Sequence, residues 1–278
     1  MFKEVYFKSW KQIKPVLFIP DLISIIITYG LFLFFMIISG FSQFGSLASF
    51  DAQSFFEAGG LSFLQENLLR IISYLILFVL VNFFIGSGLM ALKFKMLRNI
   101  IEKRKINLFR IIKEDEKAFW RVVLLRIFVY LIGLILLIIA WLIGYLLINT
   151  IPKGVALVIM GILIIVAVLL LKLMLLLRYA CLFLDKKNTL KSLITSSRAF
   201  FKKPGYLLAV LILILITQTV LILFMVGINY GIGFVGSEGL IGAIFMVLGL
   251  LSYAFFRILK LVWTDLFLFN IYNHKFRH

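Results

Sequence analysis

The chain has 278 residues, of which 63% are hydrophobic and only 15% are charged, and its mean hydropathy is +1.13. An ordinary soluble domain is about a quarter charged. So few charged side chains cannot cover a water-facing surface, and the composition therefore excludes a conventional soluble protein. No polar stretch is long enough to form a second core, so we expect a single membrane domain over residues 1–278.

The net charge of +17 arises from 29 Lys and Arg residues against 12 Asp and Glu. On a soluble protein this charge would indicate nucleic-acid binding. Here the cations lie in short segments beside apolar runs, where anionic lipid headgroups attract each one with about 1 kcal/mol. We therefore expect anionic membrane lipids as partners and no nucleic acid, and a protein partner at the same basic face stays open.

Six apolar runs reach the length of about 20 residues that a helix needs to cross the hydrocarbon core. They predict an all-α, polytopic integral membrane protein with spans at approximately 16–39, 68–92, 122–149, 154–177, 206–229 and 239–259. The first run exceeds the roughly 7–15 apolar residues of a cleaved signal peptide. We therefore expect it to remain as a signal-anchor.

Lys and Arg residues fall almost wholly on alternate segments between these runs. Four segments hold 24 of the 29 cations: four in 1–15, ten in 93–121, six in 184–205 and four from Arg257 onward. The intervening segments 40–67, 150–153 and 230–238 together hold a single cation, Lys153. Because cations resist translocation, this asymmetry predicts that both termini lie in the cytoplasm. We expect the protein in the plasma membrane.

The six spans pair into three hairpins that read as copies of one unit. Each unit begins with a cytoplasmic amphipathic stretch and an aromatic-basic elbow: Trp10 to Pro15, Phe119 to Arg121, and Phe200 to Gly205. Aromatic rings favour the headgroup layer, and neighbouring cations hold it from the water side. We therefore predict lipid anchoring by Trp10, Lys14, Trp120, Arg121, Phe201, Lys202 and Lys203.

Apolar residues in the stretches before the elbows recur at steps of three or four, which is typical of helices lying on a bilayer. They are Phe2, Val5, Tyr6, Trp10 and Ile13; then Ile106, Phe109 and Ile111 or Ile112; then Leu190, Leu193, Ile194 and Phe201. Ordinary helix-connecting loops are the alternative. The outer segment Gly40–Glu66, rich in Phe, Gly and Ser, suits a short amphipathic helix or a re-entrant segment.

The segment 178–205, RYACLFLDKKNTLKSLITSSRAFFKKPG, resembles the corresponding region of a family of six-helix prokaryotic membrane proteins. That family includes YciC-like proteins and the membrane domain attached to some glycerophosphoryl diester phosphodiesterases. The shared features are an Arg-aromatic pair at Arg178, a polar turn from Asp185, Ser residues at Ser196 and Ser197, and a glycine exit at Gly205. The resemblance implies an all-helical membrane protein without the phosphodiesterase chemistry, which belongs to a separate soluble domain.

Residues suited to catalysis or metal binding are sparse. His274 and His278 lie in the charged tail, and a metal site needs three or four converging ligands. Cys181 lies in an apolar run, where a small buried hydrophobe is the expected role. Glu114, Asp115 and Glu116 balance neighbouring cations, and we expect Asp21, Asp185 and Asp265 to pair with Arg126, Arg178 or Arg257. We therefore expect no enzyme, cofactor or metal.

Two functions remain open from the sequence. The first is a non-enzymatic role in membrane or envelope organisation, exercised through the basic cytoplasmic face on anionic lipid or on a partner. The second is a small transporter or channel component, since Asn82 and Gln218 are polar residues deep within spans. An interhelical hydrogen bond of about 0.6–2 kcal/mol is the structural alternative for both side chains. The missing acid–base cluster disfavours a lipid enzyme.

The predicted orientation can be tested by cysteine labelling in a Cys181→Ser background. With both termini inside, a membrane-impermeant maleimide should label a Ser46→Cys variant in intact cells. A Lys105→Cys variant, in the stretch between Asn99 and Lys117, should react only after permeabilisation. Labelling of the Lys105→Cys variant in intact cells would overturn the topology.

Overall fold

A computed structural model describes residues 2–41, 60–115, 117–234 and 239–277. Over these ranges the chain is all-helical and contains no β-strand. Six of the described helices are long and apolar enough to cross a membrane. The all-α class and the six candidate spans are thereby confirmed, whereas the three-hairpin arrangement and the interfacial placement of the short helices stay predictions.

The helices, in chain order, are α1 Phe2–Lys11, α2 Phe18–Ile38, α3 Gly60–Ile101, α4 Leu108–Lys113, α5 Lys117–Thr150, α6 Lys153–Met174, α7 Arg178–Leu184, α8 Thr189–Lys202, α9 Pro204–Phe234 and α10 Gly239–Lys275. The six long, apolar ones are α2, α3, α5, α6, α9 and α10. One or two short helices therefore precede each consecutive pair of long helices.

Proline marks where several helices begin. Pro15 opens a 3₁₀ turn before α2, Pro20 lies in the first turn of α2, and Pro204 is the first residue of α9. Pro152 is the N-cap of α6. Proline has no N–H, and N–H groups in a first helical turn have no intrahelical partner, so proline is tolerated there but not further in.

The long helices continue past the predicted spans. Helix α3 covers Gly60–Ile101 around the predicted span 68–92, and α10 reaches Lys275 although its predicted span ends at 259. Residues 60–66 of the predicted outer segment are thus helical. Residues 42–59 lie outside the described part of the chain, as does the prediction of a short or re-entrant helix there. The apolar run of each helix indicates only the part that fits the hydrocarbon core. The helix itself is longer, because its backbone hydrogen bonds continue into the polar residues on either side.

The chain divides into two compact units. One comprises Met1–Phe18 together with Ala91–His278, and the other comprises Ile19–Met90. The boundary falls inside α3, because Met90 and Ala91 are consecutive residues of that helix. Most of the charged and buried polar residues belong to the first unit.

The unit Ile19–Met90 is an apolar helix pair with polar ties. Thr28 donates a hydrogen bond to the amide oxygen of Asn82 over 3.0 Å. Phe35 and Phe78 pack with ring centroids 6.0 Å apart. Arg70 donates to the carbonyl of Ile38, the last residue of α2, over 3.1 Å. A cation at this position satisfies a terminal carbonyl and complements the helix dipole.

The packed core of the first unit lies at the helix ends where the cations gather. Its fully buried side chains include Leu97, Leu125, Leu177, Leu207 and Trp263. By contrast, the most apolar stretches of the six long helices have between 0% and 28% of their residues buried. A surface this apolar is matched by hydrocarbon rather than by water.

The Ser196 side chain forms hydrogen bonds with the backbone at the break between α6 and α7. The three residues after Met174 include neither proline nor glycine, so nothing local predicts the break. The buried hydroxyl of Ser196 in α8 donates to the carbonyl of Met174 over 2.7 Å and accepts from the N–H of Leu177 over 3.2 Å. Both backbone groups would otherwise be buried without a partner.

Replacing this hydroxyl should destabilise the protein. The Ser196→Ala variant leaves a buried N–H and a buried C=O without hydrogen bonds, so we expect a loss of about 1–3 kcal/mol in the free energy of unfolding. Thermal unfolding in detergent, followed by circular dichroism, measures it. Ser197→Ala is the matched control, because that half-buried side chain has no such bond. Equal melting temperatures for both variants would contradict this role.

Candidate functional site at the basic end

Three cations on the last turns of α3 are buried in the first unit. Lys93, Lys95 and Arg98 are 3%, 6% and 4% exposed. A buried charge is costly unless it is paired and hydrogen-bonded. The cations are surrounded by apolar side chains such as Met96 and Leu97, both fully buried. We call this group of buried cations and its partners the basic-end core.

Each of these cations has a defined partner. The ammonium of Lys93 lies 2.6 Å from a carboxylate oxygen of Asp265 in α10. Lys95 donates to the carbonyl of Ile111 over 3.3 Å and also to the carbonyl of Glu114. Arg98 lies 3.4 Å from the Glu114 carboxylate. The end of α3 is thereby linked to α4, to Glu114 just after α4 and to Asp265 of α10.

A second polar cluster surrounds Asp185 at the end of α7. Its carboxylate accepts a hydrogen bond from the Tyr272 hydroxyl over 2.5 Å and pairs with Lys187 at 2.8 Å. Arg277 lies 3.8 Å from Asp185 and 3.4 Å from Glu102. The expectation that Asp185 and Asp265 pair with arginines of the spans was therefore wrong. Asp185 pairs instead with the neighbouring Lys187 and with Arg277, and Asp265 pairs with the distant Lys93.

The first elbow packs on protein. Trp10 stacks on Trp263 of α10 with ring centroids 5.6 Å apart. Ser9 of α1 and Gln12, the residue after α1, accept hydrogen bonds from the Asn270 amide over 3.0 and 2.7 Å. The apolar face of α1 is thus covered by α10. The prediction that Trp10 anchors lipid is not tested by this arrangement, but its indole already has a partner.

The second elbow separates into a paired cation and an exposed ring. The Arg121 guanidinium binds both carboxylate oxygens of Asp115. Its backbone carbonyl accepts a hydrogen bond from Thr189 over 3.3 Å. Trp120 beside it is 59% exposed. Charge at Arg121 is therefore already balanced within the protein, and Trp120 is the part of this elbow that is available to lipid.

The third elbow is exposed from Phe201 to Gly205. Phe201 is 69% exposed, and Lys202 and Lys203 are exposed beside it. The Lys203 ammonium lies 5.9 Å from the centre of the Phe276 ring. Lys14 of the first elbow is exposed as well. We call the exposed predicted anchors the basic-end surface: Lys14, Trp120, Phe201, Lys202 and Lys203.

The amphipathic stretches before these elbows divide their apolar residues between core and surface. In α4, Ile111 is buried, while Phe109 is 83% exposed. In α8, Leu193 is buried, while Ile194 is 50% exposed. Each short helix therefore contributes one apolar side to the basic-end core and leaves other apolar side chains uncovered, next to exposed cations such as Lys191.

The two polar residues predicted for a transport route each bind a neighbouring helix. Asn82 accepts the hydrogen bond from Thr28 described above. The Gln218 amide in α9 donates to the Thr264 hydroxyl in α10 over 3.1 Å. Both amides therefore have partners of the kind that hold two helices together.

Residues of the segment 178–205 hold its helices together. Arg178 donates to the Leu175 carbonyl over 3.0 Å and lies 4.7 Å from the ring centre of Tyr179. Tyr179 stacks on Phe94 with centroids 4.5 Å apart. With Asp185 and Ser196, these residues fasten α7 and α8 to α3, α6 and α10. Arg178, Asp185 and Ser196 thus each have a packing role.

Groups suited to metal or nucleophilic chemistry are not assembled in the described residues. No cluster of three or more His, Cys, Asp or Glu side chains that could hold a metal ion occurs there. Cys181 is fully buried. His278 lies outside the described residues. No protein-family model matches the chain, and no curated protein or solved structure matches it either. The family resemblance therefore stays a prediction.

The buried cations were not recognised from the sequence. The sequence predicts that Lys93, Lys95 and Arg98 are charges of the cytoplasmic segment 93–121, because the apolar run of the second span ends at residue 92. The partner Asp265 lies 172 residues from Lys93, and no local pattern connects them.

Breaking the Lys93–Asp265 pair should be costly. The Asp265→Ala variant leaves the Lys93 ammonium buried without its carboxylate, so we expect a loss of about 3–5 kcal/mol in unfolding free energy. The Lys93→Met/Asp265→Leu double variant removes both charges and should recover most of that loss. Thermal unfolding in detergent measures both, with Lys117→Met as an exposed control. A double variant as unstable as the single one would contradict the pairing argument.

Proposed function

We propose that this chain is a multi-pass protein of the plasma membrane, with both termini in the cytoplasm and the basic end at the cytoplasmic face. There it engages anionic lipid headgroups, or a partner protein, in membrane or envelope organisation. The observation that carries the proposal is the basic-end surface, where exposed aromatic rings lie beside cations that have no carboxylate partner among the described residues. Lys202 and Lys203 with the exposed Phe201 are the strongest example.

Physical chemistry favours lipid as the ligand of this surface. Aromatic rings partition to the headgroup layer, and each basic residue near an anionic leaflet contributes about 1 kcal/mol. Phe201 and Trp120 are more than half exposed, although burial in protein would be favourable for both. Trp10 and Arg121 have protein partners and serve packing in this proposal.

The proposal is non-enzymatic. Glu114 lies 3.4 Å from both Arg98 and Arg110, and Asp115 binds Arg121. Both carboxylates are therefore occupied by arginine side chains. This supports charge balancing as the role of the acidic residues before α5.

The transporter alternative receives less support. The amides of Asn82 and Gln218 are engaged with Thr28 and Thr264, which is the arrangement expected of helix packing. Solute flux in liposomes that disappears in a Gln218→Leu variant would favour the transporter over the proposal made here.

Neutralising the exposed cations should reduce the preference for anionic lipid. For the full chain in nanodiscs, the Lys14→Gln/Lys202→Gln/Lys203→Gln variant should lose about 3 kcal/mol of attraction to anionic headgroups at low salt. Spin-labelled phosphatidylglycerol and phosphatidylcholine report the preference by electron paramagnetic resonance. The matched control replaces the same three residues with Arg and should keep it. An unchanged preference in the Gln variant would remove the lipid part of the proposal.

A further inference from the structure

A groove between α9 and α10 carries two cations. The two helices run in opposite directions, since Tyr206 contacts Phe276 and Gln218 binds Thr264 further along. Arg257 and Lys260 lie one turn apart on α10 and line a cavity of about 230 Å³. The remaining wall is largely apolar, formed by Leu221, Met225, Phe256 and the ring of Tyr253.

These cations are without a protein counter-charge. Among the described residues, neither Arg257 nor Lys260 makes a side-chain hydrogen bond or an ion pair. The sequence of α9 contains no Asp or Glu, and that of α10 contains only Asp265. Asp265 is occupied by Lys93 at 2.6 Å. The charge of the groove therefore calls for an anion from outside the protein.

The position of the pair along α10 points to the headgroup level. Arg257 comes 18 residues after Gly239, the first residue of α10. At a rise of about 1.5 Å per residue, this is about 27 Å, close to the hydrocarbon thickness of about 30 Å. Cations at this depth reach toward lipid phosphates. Two donors one turn apart can contact different oxygens of one phosphate.

We propose that the α9–α10 groove binds one anionic phospholipid, with its phosphate on Arg257 and Lys260 and its acyl chains along Leu221, Met225 and Phe256. The apolar wall selects a lipid over a free phosphate, which would leave that wall uncovered. The two cations favour a headgroup without an ammonium of its own. This site goes beyond the basic-end surface and shares none of its residues.

Lipid binding to the purified full chain in a neutral detergent tests the site. Native mass spectrometry counts retained phosphatidylglycerol, with phosphatidylcholine as the zwitterionic comparison. The Arg257→Gln/Lys260→Gln variant should bind phosphatidylglycerol about tenfold more weakly, or worse. Lys202→Gln/Lys203→Gln, which removes the same charge from the basic-end surface, should keep the tightly retained molecule. Equal affinity in the wild type and the Arg257→Gln/Lys260→Gln variant overturns the proposal.

Two further variants keep the test decisive if the double variant folds poorly. Ile222 lines the groove and is 41% exposed, so Ile222→Trp should fill the groove and displace lipid without a change in charge. Arg257→Lys/Lys260→Arg keeps both charges and should retain the lipid. Full retention in Ile222→Trp counts against the site. Displacement of phosphatidylglycerol by inorganic phosphate would reassign it to a soluble anion and overturn the lipid proposal.

The two lipid proposals can fail separately. Loss of the headgroup preference in the Lys14→Gln/Lys202→Gln/Lys203→Gln variant depends on the basic-end surface alone. Loss of a single retained lipid depends on Arg257 and Lys260 alone. A normal headgroup preference in the Arg257→Gln/Lys260→Gln variant, together with the lost lipid, is the expected pattern for two independent sites.

Discussion

Buried cations at the end of α3 require partners, and that requirement organises the first unit. Lys93 needs the Asp265 carboxylate, Lys95 needs two backbone carbonyls, and Arg98 needs Glu114. Because removal of any partner would leave a charge in a nearly dry environment, α10 and the residues around α4 are held where those partners lie. The short helices then cover the core, with α1 packing through Trp10 onto Trp263.

The same class of residue therefore has two separate roles in this protein. Every Lys or Arg on the basic segments contributes to the charge asymmetry that predicts orientation. Exposed cations such as Lys14, Lys202 and Lys203 lie at the protein surface, where a lipid headgroup or a partner would contact them. Arg121 and Lys93 are neutralised by Asp115 and Asp265. The count of 29 Lys and Arg residues consequently overstates the number of unpaired cations at the protein surface.

Lipid is expected to meet this chain at two levels. The basic-end surface would attract anionic headgroups in general, through long-range electrostatics and exposed rings. The α9–α10 groove would hold one molecule by direct contact of Arg257 and Lys260 with its phosphate. The first proposal depends on exposed rings beside cations and the second on two cations in an apolar groove. Both are consistent with six long helices whose exposed apolar middles match hydrocarbon rather than water.

From the sequence alone came the all-α class, the six candidate spans and the prediction of Trp120 and Phe201 as lipid anchors. These depend on composition and on periodicity along one helix, which are local properties. Tertiary structure decided the partners of Asp185 and Asp265, the break at Leu175 held by Ser196, and the covering of Trp10. An amphipathic pattern shows that a helix has an apolar face, but that face can be buried either against protein or against lipid. Only the packing of distant segments determines which one is present.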